Sequence, residues 1–411
     1  MADFIVGSPV RDEDFWFRNA FVEDLWEALA KHNVLLLAPR RTGKTSVMYR
    51  MLDMPRDGWL VIHLNVEDLK TPSDFIVSLI DAINEHQPRY LREAISKGWD
   101  LLACVFSHIE NIEMADFKLQ LRNTGNLEDK WQDRGGELIE RILKTEKNIL
   151  FIIDELPDML NSMQAESKND FTQFLHWFRK TRDRSLKKNL RWLVGGSVNL
   201  VGALDQQGHV KLINDLKIEP LPSFADQEVM TFIDQMLRDR GVEFDAVVVS
   251  RAMELLGAPI PLFLQMLTQE LHRLWKRKKA PLSKIDVDEV FNKSLLGEMA
   301  RDKLQHYRTR IDLHYPREER EAACHFLSTL SLSDNGLKQD TLFLFYRRIE
   351  ECKTESRTGT ALSQAFQRLL LYLQSDFYIE PRDDGCFDFS SRLLKTWWKK
   401  YYGYECGGQL R

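Results

Sequence analysis

Asn33-Val34-Leu35-Leu36-Leu37-Ala38-Pro39-Arg40-Arg41-Thr42-Gly43-Lys44-Thr45-Ser46 is the stretch that decides the fold. Val34 to Leu37 reads as a strand buried on both faces, followed by a tight loop and a helix opening on Gly43-Lys44-Thr45. Strand, loop, helix is the order a nucleoside triphosphate site requires. Loop N–H groups wrap the phosphates, and the helix N-terminus adds partial positive charge. In this reading Pro39, Arg40, Arg41, Thr42, Gly43 and Ser46 complete the cradle. Lys44 reaches the β- and γ-phosphates, and the Thr45 hydroxyl holds Mg²⁺. The spacing matches a phosphate-binding loop with one departure, Ala38 in place of its first glycine. A methyl is tolerated there if φ stays negative. The competing reading is a chance Gly-Lys-Thr in a βα turn, and the strand-then-helix context argues against it.

A second segment, Asn148-Ile149-Leu150-Phe151-Ile152-Ile153-Asp154-Glu155-Leu156-Pro157, is an apolar run ending in two carboxylates. Carboxylates at the C-terminal edge of a parallel strand stand where open α/β sheets bind ligands. Asp154 is expected to organise Mg²⁺ through its water shell, and Glu155 to orient and deprotonate an attacking water. A strand-end acid pair alone is often only a solvated loop; in this order after the first motif it favours hydrolysis over mere binding. A third core strand, Leu190 to Asn199, ends in a small polar cluster. Ser197, ahead of Asn199, is a candidate to sense the γ-phosphate, with a plain turn as the alternative.

With 411 residues, 44% hydrophobic and 29% charged, the chain has room for two or three domains of an ordinary globular protein. A net charge of −5 argues against bulk attraction to nucleic acid, leaving only local basic patches. Cys104, Cys324, Cys352, Cys386 and Cys406 lack metal-ligand spacing, so reduced thiols in a cytoplasmic protein without a zinc site are expected. The N-terminus has no signal-peptide pattern, and no apolar run is long enough to span a bilayer.

The expected fold class is α/β: a parallel-sheet core over residues 1–222, a helical lid over 223–305 and a winged helix-turn-helix over 306–411. Within the core, near-alternation of apolar residues after Ile112 suggests a strand-rich insertion from about 87 to 132. Val6 to Val10 is a candidate base-contacting stretch, which packing alone would equally explain. The basic cluster from Thr181 to Lys188 has two readings. Arg179, Arg182 or Arg184 stabilises transition-state charge, or the cluster is a solvated helix end. Helices at about 317–330, 337–351 and 361–374, then a hairpin turning at Asp384-Gly385, make the winged shape. Its groove-facing helix carries a single basic residue, Arg368, so a protein-contacting or autoinhibitory module is favoured over a DNA reader.

The Pro39-to-Ser46 loop, the acidic pair Asp154-Glu155, Gly196-Ser197 and the Gly257-Ala258-Pro259 stretch together resemble the archaeal-type P-loop ATPases near the STAND branch of the AAA+-like NTPases. The resemblance covers most of the chain. It implies ATP rather than GTP, with Pro259 near the nucleotide, and an ATP-hydrolysing switch in signalling or defence, with a protein partner or self-association. Two alternatives stand beside it: an ATP-dependent DNA-binding protein using the basic runs at 180–191 and 276–279, and a nucleotide-bound scaffold with little turnover.

Overall fold

The computed structural model describes residues 3–86, 127–145, 147–196, 204, 208–353 and 356–404. They group into two units: Arg18–Ala38 with Lys44–Leu221, and Met1–Phe17 with Pro39–Gly43 and Pro222–Arg411.

The first unit is built on a sheet. Its elements in chain order are α1 (Asn19–Leu29), β1 (Val34–Leu37), α2 (Lys44–Asp53), β2 (Trp59–Asn65), α3 (Pro72–His86), α4 (Leu127–Leu143), β3 (Asn148–Asp154), α5 (Leu156–Glu166), α6 (Lys168–Leu186), β4 (Leu190–Gly196) and β5 (Lys217–Pro220). The five strands run parallel in the order β2-β3-β4-β1-β5. Val34 to Leu37 and Ile149 to Asp154 are buried throughout, as continuous apolar runs in central parallel strands require. The edge strand β5 keeps Lys217 and Ile218 exposed, which is why its sequence carries no apolar run. Register pairs Leu37 with Gly196 and Asn65 with Asp154, so the carboxyl ends of the strands are level.

The core of this unit is aromatic. Phe151 stacks on Trp192, Trp192 meets Phe178 edge-on, and Phe174 joins Phe178 to Phe75. For the strand-rich insertion expected over 87–132, residues 87–126 lie outside the described residues. From Leu127 the chain is helical instead: Trp131, Leu138, Ile139 and Ile142 repeat at helical spacing and are buried.

The basic cluster after Lys180 continues α6 rather than leaving it, because its cations are held by the protein. Arg182, 1% exposed, forms a two-pronged pair with Asp215 at 2.8 and 2.9 Å and donates to the Leu212 carbonyl. Arg179 donates to Asn214 Oδ1, and Arg184 pairs with Glu140. Arg191 donates to the carbonyls of Leu29 and Ala30 at the end of α1 and of Ser185 and Lys188 at the end of α6, where unsatisfied helix carbonyls accept a cation well.

The second unit is mainly helical: α7 (Asp226–Arg238), α8 (Val247–Leu256), α9 (Pro261–Lys278), α10 (Lys284–Glu289), a π-helical turn (Val290–Leu295) and α11 (Glu298–His314). It continues through α12 (Arg317–Leu332), β6 (Leu337–Lys338), α13 (Gln339–Glu351), α14 (Gly359–Ser375), β7 (Ile379–Pro381), β8 (Cys386–Phe389) and α15 (Arg392–Tyr402). The three short strands pair antiparallel in the order β6-β8-β7. The β7–β8 turn is the expected one, with Gly385 N–H on the Arg382 carbonyl and Gly385 at φ +77°. One apolar core runs from Phe224 to Trp398, and the N-terminal segment packs on it through Trp16 against Phe232 and Phe17 against Phe224.

Candidate nucleotide site

Two carbonyl-to-amide links fix the geometry of the sheet edge. Ala38 N–H donates to the Gly196 carbonyl at 3.3 Å, and Val66 N–H donates to the Asp154 carbonyl at 3.1 Å. Between them, at the C-terminal ends of β1 and β3, the side chains singled out by the sequence converge. Thr45 Oγ1 donates to Asp154 Oδ2 at 2.6 Å. Lys44 Nζ lies 3.5 Å from Glu155 Oε2 and 3.8 Å from Asp154 Oδ1. Lys44 is 5% exposed and Asp154 2%, so this is a buried cluster built from residues some 110 positions apart.

Each part has a local cause. Lys44 and Thr45 are the first two residues of α2, where backbone N–H groups are unsatisfied. The loop before it is closed by Thr42, buried, whose Oγ1 donates to the Pro39 carbonyl at 2.7 Å. Arg41 and Gly43 both have left-handed backbone, φ +66° and +94°. Pro39 and Ser46 are buried, Arg40 half-buried and Arg41 exposed.

Glu155 is the N-cap of α5 and is also left-handed, at φ +59°, ψ +35°, while its N–H donates to Asp154 Oδ1 at 3.0 Å. A non-glycine residue there carries a conformational cost of about 1–3 kcal/mol, of the sort that collects at functional sites.

The oxygen donors Thr45 Oγ1 and Asp154 suit Mg²⁺, which takes few protein ligands and keeps several waters. Among the described residues no group of three or more His, Cys, Asp and Glu is placed to hold a metal ion. Free thiols are found at Cys324, Cys352 and Cys386.

Ser197 and Asn199, the candidate sensors, lie outside the described residues. Pro259 sits half-buried between α8 and α9 in the helical unit. Its neighbour Gly257 ends α8 at φ +77°, where an added Cβ would stand 2.7 Å from the Arg392 amide nitrogen. The glycine of that stretch is thus needed for packing of α8 on α15.

Two residues escaped the sequence reading. Gly195 backs Asp154: a Cβ there would meet Asp154 Oδ1 at 2.8 Å and Met48 Cε at 2.6 Å. Its signal was present in the Gly195-Gly196 pair, but only the strand register shows that the small residue faces the carboxylate. Asn65, aligned with Asp154, closes β2 with its Oδ1 accepting from Glu67 N–H at 3.0 Å; a polar residue after an apolar strand is too common to stand out.

No family model matches the sequence, and no curated protein matches it. Among solved structures, the Walker-type ATPase PABY2304 of Pyrococcus abyssi is similar at TM-score 0.63 and 16% identity, over 96% of this chain and 99% of that one. The chain has a P-loop NTPase fold. The Aeropyrum pernix ORC2 protein, solved in ADPNP–ADP complexes, is similar at TM-score 0.53 and 11% identity, over 92% of each chain. Identities this low speak for the fold, and what this P-loop chain does has to be argued from its own site.

Proposed function

We propose that this chain binds ATP with Mg²⁺ on the Pro39-to-Ser46 loop, hydrolyses it, and works as a nucleotide-dependent conformational switch. The carrying observation is the Lys44–Thr45–Asp154–Glu155 cluster at the edge of a parallel sheet. Lys44 faces two carboxylates, so the cluster favours a polyphosphate that arrives as its magnesium complex. On binding, Lys44 would exchange its long contacts with Asp154 and Glu155 for phosphate oxygens. Thr45 and Asp154 would hold the metal, which supplies neutralisation of the charge developing on the phosphate oxygens. Glu155, released from Lys44, would orient and deprotonate the attacking water. Ser197 remains the candidate sensor of the γ-phosphate, and Pro259 the residue that the family resemblance implies near the nucleotide.

Part of the basic runs that the DNA-binding alternative needs is engaged within the protein, while Lys187, Lys188, Lys276, Arg277 and Lys279 stay exposed. Arg182, Arg184 and Arg191 are engaged within the sheet unit, and Lys278 is held by Asp286 at 2.8 Å. The outward side of α14 presents Thr360, Ser363, Gln364, Gln367 and Leu371, with little charge for phosphates. We therefore read the C-terminal winged-helix-like part as contacting protein, either a partner or a second copy. Among the described residues no helix is long and apolar enough to cross a membrane.

The test is ATP binding and turnover by wild type and Lys44→Ala. Loss of at least about 10²-fold in both is expected on removing the phosphate-facing cation. Unchanged ATP affinity in Lys44→Ala would sink the assignment of the loop, and tight binding without turnover in wild type would leave a scaffold.

A further inference from the structure

A glycine inside a buried parallel strand weakens the strand unless something needs the space where its side chain would be. Gly195 of β4 is such a residue. Its φ is not positive, so the backbone there suits any residue and the reason for glycine is room. Side chains alternate along the strand: Trp192 and Val194 enter the aromatic core, which turns Gly195 to the opposite face. On that face the room is taken by Asp154 and Met48. An added Cβ would stand 2.8 Å from Asp154 Oδ1 and 2.6 Å from Met48 Cε, and both are too close.

The two occupants are held unequally. Met48, fully buried, follows Lys44 by one turn on α2, and its unbranched thioether end can bend aside. Asp154 has no such latitude. Its Oδ1 accepts from the Glu155 N–H at 3.0 Å and its Oδ2 from Thr45 Oγ1 at 2.6 Å, so both oxygens are tied. The second bond takes the one proton of the Thr45 hydroxyl and leaves its lone pairs for a cation. A carboxylate pushed off Gly195 would strain one of these bonds, and the hydroxyl would lose its orientation.

We propose that Gly195 is a positioning residue for magnesium: the bare strand lets Asp154 lie against it, and the carboxylate so placed holds the Thr45 proton, leaving the hydroxyl oxygen to the metal. This rests on the nucleotide-binding reading and adds to it a residue that governs its metal dependence. Gly195, Asp154, Thr45 and Met48 all belong to the sheet unit. Gly195 acts through Asp154 rather than on metal or nucleotide.

The test measures ATP affinity with Mg²⁺ and with EDTA, and the melting temperature without nucleotide. It compares the full-length wild type, Gly195→Ala, Met48→Ala and the double variant Gly195→Ala/Met48→Ala. In Gly195→Ala the affinity with Mg²⁺ should fall about tenfold, the usual cost of disturbing a group that orients a metal ligand, while affinity in EDTA stays within about twofold. Met48→Ala opens a cavity beside α2, so it should melt lower yet keep the wild-type gain from Mg²⁺. The double variant makes room on the Met48 side but leaves the methyl against Asp154. It should keep the magnesium defect, and it carries the test if Gly195→Ala alone does not fold.

A wild-type gain from Mg²⁺ in Gly195→Ala or in the double variant would overturn the proposal. So would an equal loss of that gain in Met48→Ala, where only packing has changed. A loss of the same size in EDTA would overturn it too, since the methyl would then disturb phosphate binding rather than the metal. The nucleotide reading itself fails separately, if wild type binds no ATP or binds it no better with Mg²⁺ than in EDTA.

Discussion

Two sets of buried charges in this chain use the same residue types and are loaded differently. In the sheet unit, Asp154 accepts short bonds from Thr45 Oγ1 and the Glu155 N–H, but the cation Lys44 reaches Glu155 and Asp154 only at 3.5 and 3.8 Å, and Glu155 is held on left-handed backbone. In the helical unit, Glu319 accepts from Tyr346 Oη at 3.0 Å and from Arg357, which also donates to Tyr346 Oη at 2.9 Å. Burial and the Glu319 carboxylate push the Tyr346 phenol far up, so it remains a donor. Asp388 is likewise saturated, with Lys395 at 2.7 and 3.0 Å, Arg382, and the Phe389 N–H. Saturated, short-bonded ion pairs hold a fold in one arrangement; a cation held at long range beside a strained carboxylate is ready to exchange its partners for a ligand.

The difference is sharpest in Glu155→Gln. Turnover should fall about 10³-fold, roughly 4 kcal/mol of barrier, while ATP affinity and the melting temperature hold. A variant that unfolds more readily but still turns over would break the comparison, because Glu155 would then belong with the structural set. The converse is Arg357→Met, which leaves the Glu319 carboxylate, 3% exposed in its side chain, with the Tyr346 hydroxyl but without its cation. We expect a loss of about 3 kcal/mol in denaturant unfolding, with turnover per folded molecule unchanged. Adding Glu319→Leu should recover most of that loss, since an apolar pair replaces the stranded charge. Failure to recover would mean that this network is needed for more than its own neutralisation.

Acid sensitivity separates the units further. His306 is pushed down to about 3 from the ordinary 6.5, by burial first, then by Arg41, Arg310 and Arg40. Well above pH 6.5 it is neutral folded or unfolded and contributes no pH dependence. As pH falls below 6.5 the unfolded chain takes up a proton that the folded chain refuses, so stability declines by up to about 1.4 kcal/mol per pH unit towards pH 3. Between pH 6.5 and 5 this amounts to about 2 kcal/mol, and His306→Gln should flatten that part of the profile in equilibrium unfolding. An unchanged slope would place the acid sensitivity elsewhere.

The sheet unit was legible because buried parallel strands write themselves as apolar runs: β1, β3 and β4 were read directly, as was the order of Lys44, Asp154 and Glu155 along them. The Asp384-Gly385 hairpin was legible for a similar local reason, a turn that wants glycine at positive φ. What stayed hidden is set by distant partners. Arg182 looks like any helix-end cation until Asp215 is seen beside it, and Arg191 looks like a strand-edge charge until two helix ends converge on it. The 2.7 Å bond from Arg41 Nη1 to the Gly7 carbonyl, between residues 34 apart with no pattern between them, belongs to the same class. Local spacing reports the element that a residue sits on; it does not report which element a long side chain will reach.

The smallest effect tests the strain directly. Glu155→Asn and Glu155→Gln both remove the carboxylate facing Lys44, so both should be inactive and both lose the same long contact. They differ in backbone preference, because asparagine enters the left-handed region far more readily than glutamine. At φ +59°, Glu155→Asn should therefore be more stable than Glu155→Gln by about 1 kcal/mol in urea unfolding. Equal stability would mean that the left-handed turn costs nothing here, and the stretched set would have to be explained by its distances alone. A gain for asparagine would show that glutamate is kept at this position against its own backbone preference, which only a task for the carboxylate explains.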